Sequence, residues 1–277
     1  MSTIDAGEIP GQFVQTRDWR IHYREAGSGH PIVLLHGSGP GATGWNNFRP
    51  NIAHLAQKFR VIAVDMPGWG KSDPVTADER NHVKAAIQLL DALDIDRAAF
   101  VGNSMGGVTS VQLSARHPER VSHLITMGSG AGGPSLLGPA GPSEGLKILQ
   151  QAYRDPSPDG MRALVDIMTH DPAFATEELV QARSAAAREN PQHLENFIAG
   201  MRRPRYTPDW DALVASRVPT LALHGRDDRV VHFEASLRLV QLIPDARLVL
   251  MNRCGHWLQL EHAAEFNRLV EGFVSSH

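Results

Sequence analysis

Gly102-Asn103-Ser104-Met105-Gly106 is the stretch on which the reading of this chain turns. It follows an apolar run at 98–102 (AAFVG) and precedes a segment, 105–116, with helical character. A serine flanked by glycines between a strand and a helix is carried through a sharp turn that presents its Oγ at the edge of a sheet. The next backbone N–H, on Met105, opens the helix and points at the same place. G-x-S-x-G is common by chance, so a plain serine in a Gly-rich turn stands as the alternative until other segments agree.

The flanking sequence alternates. Residues 12–16 and 20–26 flank the turn Arg17-Asp18-Trp19 and predict an antiparallel hairpin. The runs 31–36 (PIVLLH) and 60–65 (RVIAVD) predict buried strands, with a helix starting near Pro50 between them. A Gly-rich loop (PGWGKSDP) leads to a helix ending near Leu93, and 121–127 (VSHLITM) predicts another strand. Residues 128–145 are rich in Gly, Pro and Ser, and 146–202 read as helices only. Strand, helix, strand and helix then return at 220–224, 234–242, 247–251 and from about Glu261. This pattern predicts an α/β fold with a mostly parallel central sheet and helices on both faces. Residues 1–133 and 207–277 form the expected core. Residues 134–206 form a helical insertion, expected as a lid over the carboxyl edge of the sheet, where such folds hold ligands.

Three further motifs fall at strand ends. His36-Gly37-Ser38-Gly39-Pro40-Gly41 follows an early strand and can supply a second backbone N–H for an oxyanion. It has a rival reading. Gly39, Gly41 and Gly44 match G-x-G-x-x-G, and Asp65 ends the next strand, as in a dinucleotide fingerprint. A helix beginning near Pro50, after those glycines, argues against that reading, which also leaves the other motifs idle. Gly225-Arg226-Asp227-Asp228 offers a carboxylate to orient an imidazole; Asp227 and Asp228 compete, and Asp228 is favoured. Cys254-Gly255-His256-Trp257 follows the last strand. Ser, Asp and His in that order match a nucleophile–acid–base triad, Ser104–Asp228–His256. Cys254 reads as packing, Asp65 as a strand-end hydrogen-bonding acid, and Met201-Arg202-Arg203-Pro204-Arg205 as a solvated edge.

Composition narrows the function classes. The chain has 277 residues, 42% hydrophobic and 21% charged, which is ordinary globular usage. A net charge of −3 gives no basic field for nucleic acid, and one cysteine excludes an intramolecular disulfide or a Cys-rich metal site. The amino-terminal MSTIDAGEIPGQ lacks the marks of a signal peptide, and no apolar run is long enough for a membrane span, so a cytoplasmic protein is expected.

The motif set resembles the α/β-hydrolase fold over nearly the whole chain, and more narrowly the meta-cleavage product hydrolases, which cut carbon–carbon bonds in vinylogous 1,5-diketones. The resemblance is carried by LLHGSGPGATGWNNFRP (34–50), GNSMGG (102–107), ATEELVQAR (175–183), HLENF (193–197), GRDDRVV (225–231) and CGHWLQLEHAAEFNRLV (254–270). It implies that Arg183, rather than Arg188, binds and polarises the substrate dienoate. It also implies that Asn103 and Trp257 line the carboxylate-bearing end, with Gly39 in contact with substrate. Ser38 and Met105 would give the oxyanion-hole N–H groups, and Met168 would face the distal part of the substrate. Val108 stands where a branch of the family has His. The implied enzyme needs no metal and no organic cofactor, acts on a small-molecule dienoate, and is a homo-oligomer. A serine esterase or lactonase of the same fold is the nearest alternative; it needs the triad but not Arg183. A non-catalytic ligand receptor on this fold is a more distant one.

Overall fold

The computed structural model describes residues 9–133, 135–139, 141–201 and 209–276. Arg202, Arg203, Pro204 and Arg205 of the basic run lie outside them, as do residues 1–8 of the amino-terminal stretch. The elements alternate: β1 (Gly11–Gln15), β2 (Arg20–Ala26), β3 (Pro31–Leu35), α1 (Gly44–Leu55), β4 (Arg60–Val64), α2 (His82–Ala92), β5 (Ala98–Asn103), α3 (Met105–Arg116) and β6 (Val121–Met127). Four helices interrupt this rhythm: α4 (Glu144–Arg154), α5 (Pro158–Met168), α6 (Glu177–Glu189) and α7 (Pro191–Gly200). Then come α8 (Trp210–Ala215), β7 (Thr220–Gly225), α9 (Glu234–Leu242), β8 (Ala246–Met251), α10 (Leu258–Glu261) and α11 (Ala263–Ser275).

Among the described residues the strands form one eight-stranded sheet in the order β1-β2-β4-β3-β5-β6-β7-β8. The β1–β2 and β2–β4 pairs are antiparallel, and all the others are parallel. Every residue of β5, β6 and β7 is buried, as expected of strands covered on both faces. One apolar layer, including Val33, Phe100, Leu124 and Leu239, lies on one face. Another, including Ile52, Val101, Ile125 and Phe266, lies on the other. A third cluster is built by α4–α6 from Leu149, Met161, Leu164 and Val180, and it takes in Val230 and Trp257 from loops at the carboxyl edge of the sheet. The inserted helices therefore share a core with the strand ends they cover.

One expected boundary is wrong. The first helix begins at Gly44, not near Pro50. Thr43 caps it by accepting a hydrogen bond from the Asn46 N–H, and Pro50 sits inside the helix on an exposed position. Side-chain capping by Thr43 outweighs the preference of proline for the first turn. The glycine run does open a helix after all, so the dinucleotide reading is excluded on other grounds. Asp65 is not free for a ribose: its carboxylate accepts from the Gly44 and Lys71 N–H groups and meets His22 Nδ1 at 2.8 Å. Gly41 packs against the Arg183 carbonyl of α6, where a Cβ would come within 2.5 Å of that oxygen.

Candidate active site

The turn after β5 holds Ser104 at φ 51° and ψ −112°, a left-handed conformation for a residue with a side chain. Such strain costs about 1–3 kcal/mol and persists only where the surroundings impose it. They do so here through the glycines. A Cβ on Gly102 would lie 2.3 Å from the Gly106 backbone, and one on Gly106 would lie 2.1 Å from the Leu35 carbonyl. Helix α3 can therefore crowd against the ends of β5 and β3 only with glycine at both places. The Ser104 N–H donates to Met127 O at 2.8 Å, which anchors the turn to β6. The strain faces Ser104 outward at the sheet edge, with the Met105 N–H at the mouth of α3.

His256 is buried in the loop between β8 and α10. Its backbone N–H and that of Trp257 both donate to the Met168 carbonyl, at 2.8 and 3.1 Å, so α5 pins this loop from above. Asn103 Nδ2 donates to Met127 O and to His256 O, which ties the residue before the nucleophile to the histidine. His256 Nδ1 lies 2.7 Å from Asp228 Oδ2. The other oxygen, Oδ1, accepts from the Val230 and Val231 N–H groups at 2.7 and 2.9 Å. Burial alone would raise the Asp228 carboxyl, but His256 and His224 beside it outweigh that and hold it well below the ordinary carboxylate range. Asp227, its rival, turns away: its carboxylate accepts from the Arg253 N–H. No direct hydrogen bond joins Ser104 Oγ to His256; such contacts commonly tighten only when substrate closes a site.

Two cavities meet here. The larger, about 720 Å³, is lined by Ser104, Met105, Val108, Phe197 and Val231, among others. The smaller, about 10 Å³, has room for one water at most. It is lined by Gly39, Asn103, Met168, Arg183, His256 and Trp257. Ser38 lines both, so its backbone stands at their junction, beside the nucleophile turn. Met168 lines the small cavity beside Arg183, and its carbonyl is held over the histidine loop.

Arg183 is the unusual group. It projects from α6, is 2% exposed, and stacks over the Trp257 ring with Cζ 4.1 Å from the centroid. Its Nε has no hydrogen-bond partner, and among the described residues no carboxylate pairs with it. Burial pushes its pKa down to about 10. Asn103 Oδ1 is likewise buried without a donor, while its Nδ2 is committed to two carbonyls, which fixes which end of the amide is which. The small cavity is therefore lined by a cation with no carboxylate partner and by an amide oxygen with no donor among the described residues. Arg188 is exposed and bonded to the Ser184 carbonyl of its own helix. Burial pushes the Cys254 thiol up, which keeps it from acting as a thiolate.

One neighbour of the acid went unread in the sequence. His224, at the end of β7, brings Nε2 to 3.2 Å from Asp228 Oδ2. Its spacing of four residues from Asp228 was the available signal. No helix among the described residues is long and apolar enough to cross a membrane.

Known proteins resemble this chain over nearly its whole length. Residues 30–263 match the family model described as alpha/beta hydrolase fold. A 2-hydroxy-6-oxononadienedioate/2-hydroxy-6-oxononatrienedioate hydrolase of Cupriavidus pinatubonensis is 43% identical over 276 residues, spanning 96% of this chain and 95% of that protein. The structure of a meta-cleavage product hydrolase from Pseudomonas fluorescens superposes with a TM-score of 0.87 at 34% identity, covering 97% of this chain and 98% of the other. That of a 2-hydroxy-6-oxo-6-phenylhexa-2,4-dienoate hydrolase from Rhodococcus gives 0.86 at 30% identity, covering 97% and 99%. The chain belongs to the α/β-hydrolase fold family and, within it, to the meta-cleavage product hydrolases, enzymes that act on carbon–carbon bonds.

Proposed function

We propose that this enzyme hydrolyses the C5–C6 bond of a 2-hydroxy-6-oxo-hexa-2,4-dienoate-type ring-cleavage product, in the degradation of aromatic compounds. The observation that carries the reading is the unpaired, buried Arg183 in the small cavity beside His256. A buried cation without a partner is costly, and an anionic ligand relieves the cost. The substrate carboxylate is that anion, and its 2-hydroxyl is the donor that Asn103 Oδ1 lacks; the small cavity, about 10 Å³ when empty, must widen to admit them. Gly39, Met168 and Trp257 wall this end. The carbonyl at C6 then lies at the junction by Ser104, and its substituent extends into the large cavity.

The chemistry follows from the leaving group. A vinyl carbanion leaves poorly, so the dienol must first become a ketone: the 2-hydroxyl loses its proton and C5 gains one. Arg183 stabilises the oxygen anion that develops. Ser104, or water assisted by it, then adds to C6, with the Ser38 and Met105 N–H groups holding the oxyanion. Breaking C5–C6 returns the electron pair to the C2 oxygen, again beside Arg183. His256 moves the protons, and Asp228 orients it. Helices α4–α7 act as the lid, within an insertion at 134–206 between core segments 1–133 and 207–277. The family resemblance supports a homo-oligomer working in the cytoplasm.

The test compares two substrates. Arg183→Ala should lose about 10²-fold or more in dienoate turnover, the worth of a desolvated charge contact of roughly 3 kcal/mol. It should keep p-nitrophenyl ester hydrolysis within a few-fold, since that ester has no carboxylate to hold and needs no electron sink. Equal losses on both substrates, or no turnover of any dienoate by the wild type, would hand the site to an esterase reading.

A further inference from the structure

We propose that His224 is a positioning residue for this reaction: its Nε2–H, shared between the Val231 carbonyl and Asp228 Oδ2, steadies the Asp228 carboxylate from behind His256. The proposal rests on the reading of Ser104, Asp228 and His256 as the catalytic set.

His224 has no exposed surface. Its Nε2 lies 2.9 Å from the Val231 carbonyl and 3.2 Å from Asp228 Oδ2. A carbonyl and an ionised carboxylate only accept, so Nε2 carries a hydrogen. Nδ1 lies 2.7 Å from Ser236 Oγ, whose hydroxyl also reaches the Ser129 carbonyl at 2.8 Å. Ser236 has one hydrogen for these two neighbours. Whichever takes it, the proton on His224 Nε2 stays in place. The ring is thus held from both ends, by α9 through Ser236 and by the turn after β7 through Val231.

The consequence lies in the count at Asp228. Oδ1 takes two backbone N–H groups; Oδ2 meets His256 Nδ1 at 2.7 Å, and His224 Nε2 stands 3.2 Å from it with its single hydrogen shared with the nearer Val231 carbonyl. Three hydrogen bonds and the His224 contact surround the carboxylate, and the Asp228 side chain is 0% exposed. Water is not at hand to replace a lost donor. Among the described residues, the ionisable groups against this carboxylate and His256 are His224 from β7, Cys254 from the loop after β8 and, in the small cavity beside His256, Arg183 from α6; α9 contributes the Ser236 hydroxyl, through His224. Without the His224 donor, Oδ2 is left to His256 alone. The carboxylate then has one restraint fewer on its rotation, and its charge is less spread, so it holds a protonated His256 more firmly. The first effect slows turnover. The second moves the acid limb of the pH profile upward.

The experiment is a kinetic comparison of His224→Phe and His224→Gln on a 6-substituted dienoate between pH 5 and 9, with thermal melts to check folding. The phenylalanine variant should lose about tenfold in kcat with KM within about twofold, as expected when a buried acceptor loses a charge-assisted donor. The acid limb of its kcat/KM profile should move to higher pH. The glutamine variant, whose amide can still donate, should recover most of kcat and return the limb. A folded phenylalanine variant with wild-type kcat and limb overturns the proposal. So do equal defects in both variants with no movement of the limb, which mark a purely structural residue. Should the phenylalanine variant not fold, nitrogen NMR of histidine-labelled wild type decides: a hydrogen on His224 Nε2 supports the proposal, and its absence overturns it. Asp228→Asn is the control. Severe loss there with normal His224 variants sinks only the role of His224, whereas normal turnover there sinks the catalytic set itself.

Discussion

Replacing Arg183 with methionine should make this protein more stable and nearly inactive on a dienoate. The guanidinium is 2% exposed, and its pKa falls from 12.5 to about 10 through burial. At about 1.4 kcal/mol per tenfold, keeping it charged costs the folded state about 3 kcal/mol. Its stacking on Trp257 returns about 1–2 kcal/mol. Methionine fills similar space with no charge and can keep contact with the same ring. The net gain is about 1–2 kcal/mol, or roughly 2–4 °C in Tm for a chain of this size. The pH dependence has a definite sign. Burial depresses the pKa of a cation, so the penalty is fully present below about pH 10 and fades as pH rises from there toward 12.5. The stability gap between variant and wild type should therefore be flat across neutral pH and narrow only in strong alkali. Urea unfolding at several pH values measures it, and decay of the visible absorbance of a dienoate measures turnover, expected to fall about 10²-fold. A variant that is less stable than wild type, with dienoate and ester hydrolysis lost in parallel, would show that Arg183 props the inserted helices, and the argument from its unpaired charge would fail.

The remaining expectations concern the triad. Ser104→Ala should bind a dienoate, seen as a perturbed absorbance spectrum, but cleave it at least roughly 10³-fold more slowly; near-normal single-turnover cleavage would remove Ser104 from the mechanism. Asp228→Asn should cost orders of magnitude in kcat, because the amide no longer favours the required tautomer of His256, whereas Asp227→Asn, whose partner is the Arg253 N–H, should cost far less. The reverse ranking in a steady-state assay would move the acid by one residue.

The parts of the site that could be read from sequence share one property: each is fixed by local chain geometry. The Ser104 turn needs glycine at 102 and 106 because backbone meets backbone there, and that demand is written as a five-residue motif. The order of Ser104, Asp228 and His256 follows from strands that end at one sheet edge. The parts that were missed depend on contacts between distant segments. Proline statistics placed the first helix at Pro50, but Thr43 capping, a single side-chain hydrogen bond, set it at Gly44. No sequence spacing shows the pairing of the Met168 carbonyl with His256 and Trp257, nearly ninety residues away, which sets Met168 on the small cavity. His224 reads as one more buried strand residue until the turn after β7 folds Asp228 back onto it.

The same distinction separates the enzyme's chemistry from its specificity. Triad and oxyanion hole belong to the fold and would serve an ester as readily as a ketone. On the proposed reading, an enol carboxylate is selected by a cation brought by α6 and an amide oxygen brought by β5, both buried, with Arg183 Nε and Asn103 Oδ1 lacking a partner among the described residues. Neither element alone forms the subsite. It exists only where the inserted helices close over the strand ends, which is why Arg183 can sit at once among those helices and in the small cavity beside His256. A protein that needed Arg183 only for packing would do better with a neutral side chain, so the charge kept there at the expense of stability is the physical signature of a site built for an anion.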